Sequence, residues 1–314
     1  MSKNNATLGG RMLSLLFSII GRMPFRLLYG IADIVAVIGG RVIGYRRKVV
    51  RGNLERCFPE MTPEERIDIE RKFYHFLADY FVETMRLGVM SKKEIEQRMV
   101  FENFDELNKT LKEGGSITLL LGHYCNWEWV SSMPLHMLQG SIGGQIYHPL
   151  ESKASDYAFL KIRNHFGAVS IDMGDVLNQL LRWRRSGQVS IVGYIADQVP
   201  NYFSIHYFAD FFGQETASFT GPERLAKMFR NKVYYLEMSR PRRGYYKGRF
   251  VKMSDDASKE TPFGLTQKYY DLLEANIRQA PQYWLWSHRR WKRTREEFIK
   301  IFGEEEVARH LSRP

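Results

Sequence analysis

Ser116-Ile-Thr-Leu-Leu-Leu-Gly122-His123-Tyr-Cys-Asn126-Trp-Glu128-Trp129 reads as a strand that stops at a glycine and restarts as a helix. Residues 116–121 are rich in Ile and Leu and are bounded by Gly114-Gly115 and Gly122, the pattern of a strand covered on both faces of a sheet. In open α/β sheets ligands bind beyond the carboxyl ends of the strands, and that edge is where His123 falls. Asn126 is a suitable N-cap for a helix over 127–138, with Glu128 in its first turn.

On one continuous helix, positions five apart differ by about 140° and do not face one another. Across a strand-turn-helix junction the chain folds back, so His123 and Glu128 can meet. A carboxylate beside an imidazole fixes its tautomer and stabilises the imidazolium, which makes His123 a candidate general base and Glu128 its orienting partner. A structural hydrogen-bonding histidine at a strand end is the competing reading. The spacing is not that of zinc ligands on a helix, so no metal is expected. Cys125 invites a Cys-His nucleophile, but no local signature supports one and a buried, inert thiol is the better reading.

Outward from this stretch the chain alternates. Strands are expected near 145–149, 168–171 and 188–195, with helices over 155–166 and 175–185 between them, which is the βα rhythm of a mainly parallel sheet covered by helices. Asp197-Gln198 follows the last of these strands and again sits at a carboxyl end, although a plain turn fits there as well. Arg163 offers a fork of donors for a phosphate or carboxylate, against the simpler reading of a solvated helix-surface Arg. Thr62-Pro63-Glu64-Glu65 forms a capping box ahead of a helix to about residue 87, with Ile67, Ile69, Phe73, Phe76, Leu77 and Phe81 at helical spacing. Thr220-Gly-Pro222-Glu223 reads as a second such box, before a helix over 222–230 and paired strands near 233–239 and 246–253.

The first 52 residues differ in kind. Residues 12–20 and 27–44 are apolar but interrupted by Arg22, Arg26, Asp33 and Arg41, and Tyr45-Arg46-Arg47-Lys48 follows. These pieces are too broken for a clean membrane span of about 20 residues. They fit a hydrophobic helical segment docked on a membrane, with its basic flank on anionic lipid at the cytoplasmic side. The expected organisation is therefore 1–52 as a docking segment, 53–294 as an α/β domain and 295–314 as a helical tail.

The 314 residues carry a formal charge of +11, which calls for an anionic partner. Tyr283-Trp-Leu-Trp286-Ser-His288-Arg289-Arg290-Trp291-Lys292 interleaves aromatics with cations and suits either a nucleic-acid surface or a membrane-interface belt. A nucleic-acid partner would account for the charge but not for the apolar segment or the His-Glu spacing, so none is expected. The chain has only two cysteines, Cys57 and Cys125, which fits a reducing compartment.

Together these stretches resemble the late acyltransferases of lipid A biosynthesis, the HtrB-type branch of the lysophospholipid acyltransferase superfamily. The resemblance runs over nearly the whole chain. It rests on Asn53-Leu…Cys57-Phe58-Pro59-Glu60, on Gly122-His123…Asn126-Trp127-Glu128 as a His-x-x-x-x-Asp/Glu motif, and on Arg163…Gly167 and Asp197-Gln198. It extends through Phe211-Phe212-Gly213, Thr220-Gly221-Pro222…Arg224-Leu225-Ala226 and Trp286…His288-Arg289-Arg290-Trp291-Lys292. It implies a glycerol-3-phosphate-acyltransferase-like fold and transfer of a fatty acyl chain from acyl carrier protein, or acyl-CoA, to a hydroxyl of a lipid A precursor at the cytoplasmic face of the bacterial inner membrane. His123 and Glu128 would be catalytic, while Asn126, Arg163, Asp197, Gln198, Thr220 and Arg224 would bind substrate, Arg163 as a phosphate contact for a glycolipid. No cofactor is implied. Val199-Pro200-Asn201-Tyr202 departs from the acidic continuation expected after Asp197-Gln198. The same branch includes acyltransferases for other membrane lipids, such as phosphoglycolipids or lysophospholipids. A basic, non-catalytic membrane-surface protein is the reading from another class.

Overall fold

Ile117–Leu121 forms a strand whose residues are all buried, as a run apolar on both faces requires. In the computed structural model, which describes residues 7–311, it is the second of nine strands. These are β1 (Met99–Glu102), β2 (Ile117–Leu121), β3 (Ile142–Tyr147), β4 (Val169–Asp172), β5 (Ser190–Ile195), β6 (Ile205–Phe211), β7 (Gln214–Phe219), β8 (Lys232–Arg242) and β9 (Tyr245–Ser254). Seven of them form one sheet in the order β1-β9-β8-β2-β5-β3-β4. Every neighbouring pair is parallel except β8 and β9, so this is the mainly parallel mixed α/β sheet expected from the alternating pattern. β2 sits between β8 and β5.

Local details depart from the sequence reading where long-range contacts compete with local signals. The hairpin β6–β7 lies apart from the main sheet and carries the helices Arg295–Phe302 and Glu304–Leu311, through an apolar cluster including Ile205, Phe208, Phe298 and Val307. The capping box at Thr62 forms, with Thr62 N–H donating to Glu65 Oε2 at 2.7 Å. Ile67 and Phe81, placed on the apolar face of that helix by spacing, are exposed. The box at Thr220 does not form, because the buried Glu223 accepts from the backbone and hydroxyl of Thr266, both at 2.7 Å. In place of an α-helix over 127–138 there is a 3-10 helix, Trp127–His136, with Pro134 unable to supply an α-helical donor and no cap from the Asn126 side chain.

The amino-terminal helices Leu8–Gly21 and Phe25–Val37 carry large apolar side chains on their outer faces. The second turns Leu28, Ala32 and Ala36 inward against Ala78 and Val82 of the helix Pro63–Leu87, and leaves Ile31, Ile34, Val35 and Ile38 exposed. A π-helical turn, Ile38–Ile43, ends at Gly44, whose positive φ of 65° lets the chain turn sharply into the helix Arg47–Cys57. No single helix among the described residues is long and apolar enough to cross a membrane.

Charged groups knit these helices to the sheet. Glu83, with no exposed surface, accepts from Tyr29 Oη at 2.9 Å, Tyr246 Oη at 2.6 Å, Asn126 Nδ2 at 2.9 Å and Arg240 Nη2 at 3.3 Å. Arg240 also pairs with Asp79 at 2.7 Å, and Arg243 joins Asp79 to Asp33. Removing one partner of such a buried set strands the others, so Arg240→Met is expected to cost roughly 3–5 kcal/mol in urea unfolding. An unchanged unfolding midpoint would show that the network carries no stability.

Candidate functional site

Neighbouring strands bring the site together. β2 and β5 pair in parallel with Leu121 opposite Ile195, so two residues further on, beyond both carboxyl ends, His123 comes level with Asp197. His123 Nδ1 lies 2.5 Å from Asp197 Oδ1, and the His123 backbone N–H donates to Asp197 Oδ2 at 2.8 Å. Trp284 Nε1 donates to the same oxygen at 2.8 Å. Burial raises the Asp197 carboxyl, but His123 and these donors outweigh it and hold the group down at about 2, so it is ionised. A Cβ at Gly122 would lie 2.5 Å from a Leu273 methyl and 3.4 Å from Asp197 Oδ2, so the bare backbone lets Leu273 pack against the turn.

The ring's tautomer follows from its partners. Gln198 Nε2 is 3.2 Å from His123 Nε2, and an amide nitrogen can only donate. In the neutral tautomer that suits these partners, Nδ1 holds its proton against Asp197 and Nε2 carries the lone pair. With 17% of its side chain exposed, the imidazole remains reachable from outside. Trp127 packs edge-on against it at 5.0 Å and stacks on Tyr80 at 4.2 Å, walling one side.

Glu128 is elsewhere occupied, which corrects the expected His123–Glu128 pairing. Its buried carboxylate takes a two-pronged bond from Arg163, with Nε at 2.8 Å and Nη2 at 2.6 Å, and another from Tyr80 Oη at 3.2 Å. Burial pushes its carboxyl up, yet Arg163 and Tyr80 bring it below the ordinary value. Arg163 is thereby committed to a carboxylate and is not a free phosphate contact. Asn126 is fully buried and donates to Glu83. Thr220 is buried and Arg224 exposed, and no hydrogen bond or ion pair among the described residues joins either of them to His123 or Asp197.

Cys125 is buried with a positive φ of 54°, and burial lifts its thiol well above the usual value, which suits packing rather than attack. Its N–H donates to Tyr283 O at 2.9 Å, Leu285 N–H donates to His123 O at 3.1 Å, and Tyr124 and Trp284 form an antiparallel bridge. Trp284 joins the site from a segment with no strand-end signal of its own. Its signal, an aromatic-basic stretch, equally described a surface.

An imidazole backed by an ionised carboxylate at a sheet's carboxyl edge is suited to taking a proton from a hydroxyl. The family model for bacterial lipid A biosynthesis acyltransferases matches residues 12–293. A lipid A biosynthesis acyltransferase of Haemophilus influenzae is 23% identical over 271 residues, covering 84% of this chain and 81% of that protein. A lipid A biosynthesis lauroyltransferase of Escherichia coli is 23% identical over 285 residues, covering 90% of each. With a match that takes in the sheet, the His123 turn and the Trp284 segment, the chain belongs to the bacterial lipid A biosynthesis acyltransferase family and is an acyltransferase.

Proposed function

We propose that this protein moves a fatty acyl chain from the thioester of acyl carrier protein, or of acyl-CoA, to a hydroxyl of a lipid A precursor, with His123 as general base. The observation that carries the reading is the partly exposed His123 ring, held at Nδ1 by the ionised Asp197 and meeting Gln198 at Nε2. In this scheme Nε2 takes the acceptor's hydroxyl proton as that oxygen attacks the thioester carbonyl. The tetrahedral intermediate then expels the thiolate, which receives the proton from Nε2. Asp197 stabilises the passing imidazolium. Gln198, already donating to Nε2, marks the place the acceptor hydroxyl takes. Glu128 acts as a positioning residue through Arg163, fixing the 3-10 segment that carries Trp127 beside the ring.

The exposed apolar face of the Phe25–Val37 helix supports docking on the cytoplasmic leaflet of the inner membrane, with Arg46 and Lys48 at the lipid surface. Ile34, 62% exposed, has no protein partner to justify its side chain there. Replacing Ile34 and Ile38 together with Glu is expected to lower co-sedimentation with anionic vesicles by roughly tenfold or more. Unchanged sedimentation would remove this segment from the docking surface.

For the chemistry, purified enzyme should acylate a lipid A precursor from acyl carrier protein thioester, read by mass spectrometry. His123→Ala and Asp197→Asn are each expected to lower kcat by about 10²–10⁴ while folding is kept. Wild-type rates in Asp197→Asn would sink the relay. Cys125→Ala should retain most activity, and enzyme mixed with labelled donor alone should show no protein-bound acyl group. A stoichiometric, hydroxylamine-sensitive adduct on Cys125 would replace direct transfer with a two-step mechanism.

A further inference from the structure

The break between the apolar amino-terminal segment and the next helix opens onto a cavity of about 920 Å³. Arg46, Arg47 and Lys48 line it from one side, and His288, Arg289 and Lys292 from the other, with no carboxylate in its walls. Arg47 is engaged, pairing with Glu70 at 3.3 Å and donating to the carbonyls of Gly40 and Arg41. Arg46 donates only to Ser287 O, at 3.1 Å. Lys48, Arg289 and Lys292 make no hydrogen bond or ion pair among the described residues. Burial, with Arg293, Arg289 and Arg46 nearby, pushes the Lys292 ammonium below its usual value, the mark of cations gathered without a counterion.

This cavity is joined to the catalytic turn. His288 in its wall accepts from the N–H of Val199, two residues beyond Asp197, at 3.3 Å. Asn53 Nδ2 holds the segment by donating to Trp286 O and His288 O, both at 2.8 Å. Just before the cationic side come Val42 and Ile43, 75% and 71% exposed. A ligand here meets apolar surface, then positive charge, then the approach to His123. That order matches an amphiphile whose anionic headgroup sits at the membrane boundary, and a concave wall suits a small headgroup better than the face of an acidic protein.

We propose that Arg46, Lys48, Arg289 and Lys292 form the subsite that binds a phosphate group on the sugar headgroup of the acceptor lipid, and so select phosphorylated acceptors. This rests on the acyl-transfer reading for the identity of the ligand but not for its charge. Arg163, the phosphate contact suggested by sequence, is relieved of that role by its bond to Glu128.

The test measures equilibrium binding to the full-length protein in neutral detergent micelles. The probes are a phosphorylated lipid A precursor, the same lipid after phosphatase treatment, and phosphatidylglycerol. Wild type is expected to prefer the phosphorylated lipid by roughly tenfold or more, as two or more near-surface cation contacts would give. Arg289→Gln/Lys292→Gln should abolish that preference, and Arg289→Lys/Lys292→Arg should retain it. No preference in wild type, or a preference that survives the Gln pair, overturns the proposal. An equal loss of phosphatidylglycerol binding would reduce the cavity to a general anionic contact, and inorganic phosphate competing as well as the lipid would make it a free-ion site. Weakened binding of acyl carrier protein with the lipid preference intact would assign the cations to the donor instead. Acyl transfer measured in the same samples stands apart, because a phosphate preference without transfer would uphold the subsite and sink the acyltransferase substrate reading.

Discussion

A single carboxylate, that of Glu83, ties together parts of the chain that lie far apart in sequence. It is wholly buried, and burial raises its carboxyl above the ordinary value despite Arg240 and three neutral donors. Those partners come from the amino-terminal helix, from β8 and β9, and from the turn after β2. A buried charge unsatisfied by any of them would be costly, so each must arrive together. The apolar helix Phe25–Val37 and the His123 turn are thereby set at a fixed relation.

The His123 turn carries the consequence in its backbone. Asn126 is pulled inward to Glu83 and Cys125 is forced into left-handed backbone, which few non-glycine residues occupy without support. Support comes from the 283–285 segment, whose backbone bonds straddle the turn and whose Trp284 reaches the same Asp197 oxygen as the His123 N–H. The imidazole is thus held by its main chain, by its partner and by that partner's second donor. Little of its orientation depends on the ring alone.

This explains which features were legible in the sequence. The buried strand, the βα alternation and the place of His123 at a carboxyl edge are local signals, carried by apolar runs and glycines within a few residues. The partner of His123 is not local. Asp197 was visible at the end of its own strand, but that β5 lies beside β2, in a register setting the two ends level, is a property of the sheet order. Glu128 had the better claim by spacing and lost it to Arg163, a residue 35 positions away that offers two aligned donors. Thr220 and Asn126 failed as caps for a related reason. Glu223 is taken by Thr266, and Asn126 is turned toward buried Glu83 by its amide N–H, which leaves its capping oxygen without a hydrogen-bond partner among the described residues.

Net charge shows the same division between what composition states and what folding decides. A formal +11 announces an anionic partner without locating it. Much of the arginine is consumed internally, with Arg163 on Glu128, Arg240 on Asp79 and Glu83, and Arg243 on Asp33 and Asp79. Such pairs do little for a distant ligand, because each cation's field is cancelled within a few ångströms by its own carboxylate. What reaches outward is the set left uncompensated, and Lys48, Arg289 and Lys292 gather where the apolar segment ends and the path to His123 begins. Around the cavity there the cations stand with no carboxylate in its walls, so their field is not cancelled locally and extends to whatever enters it.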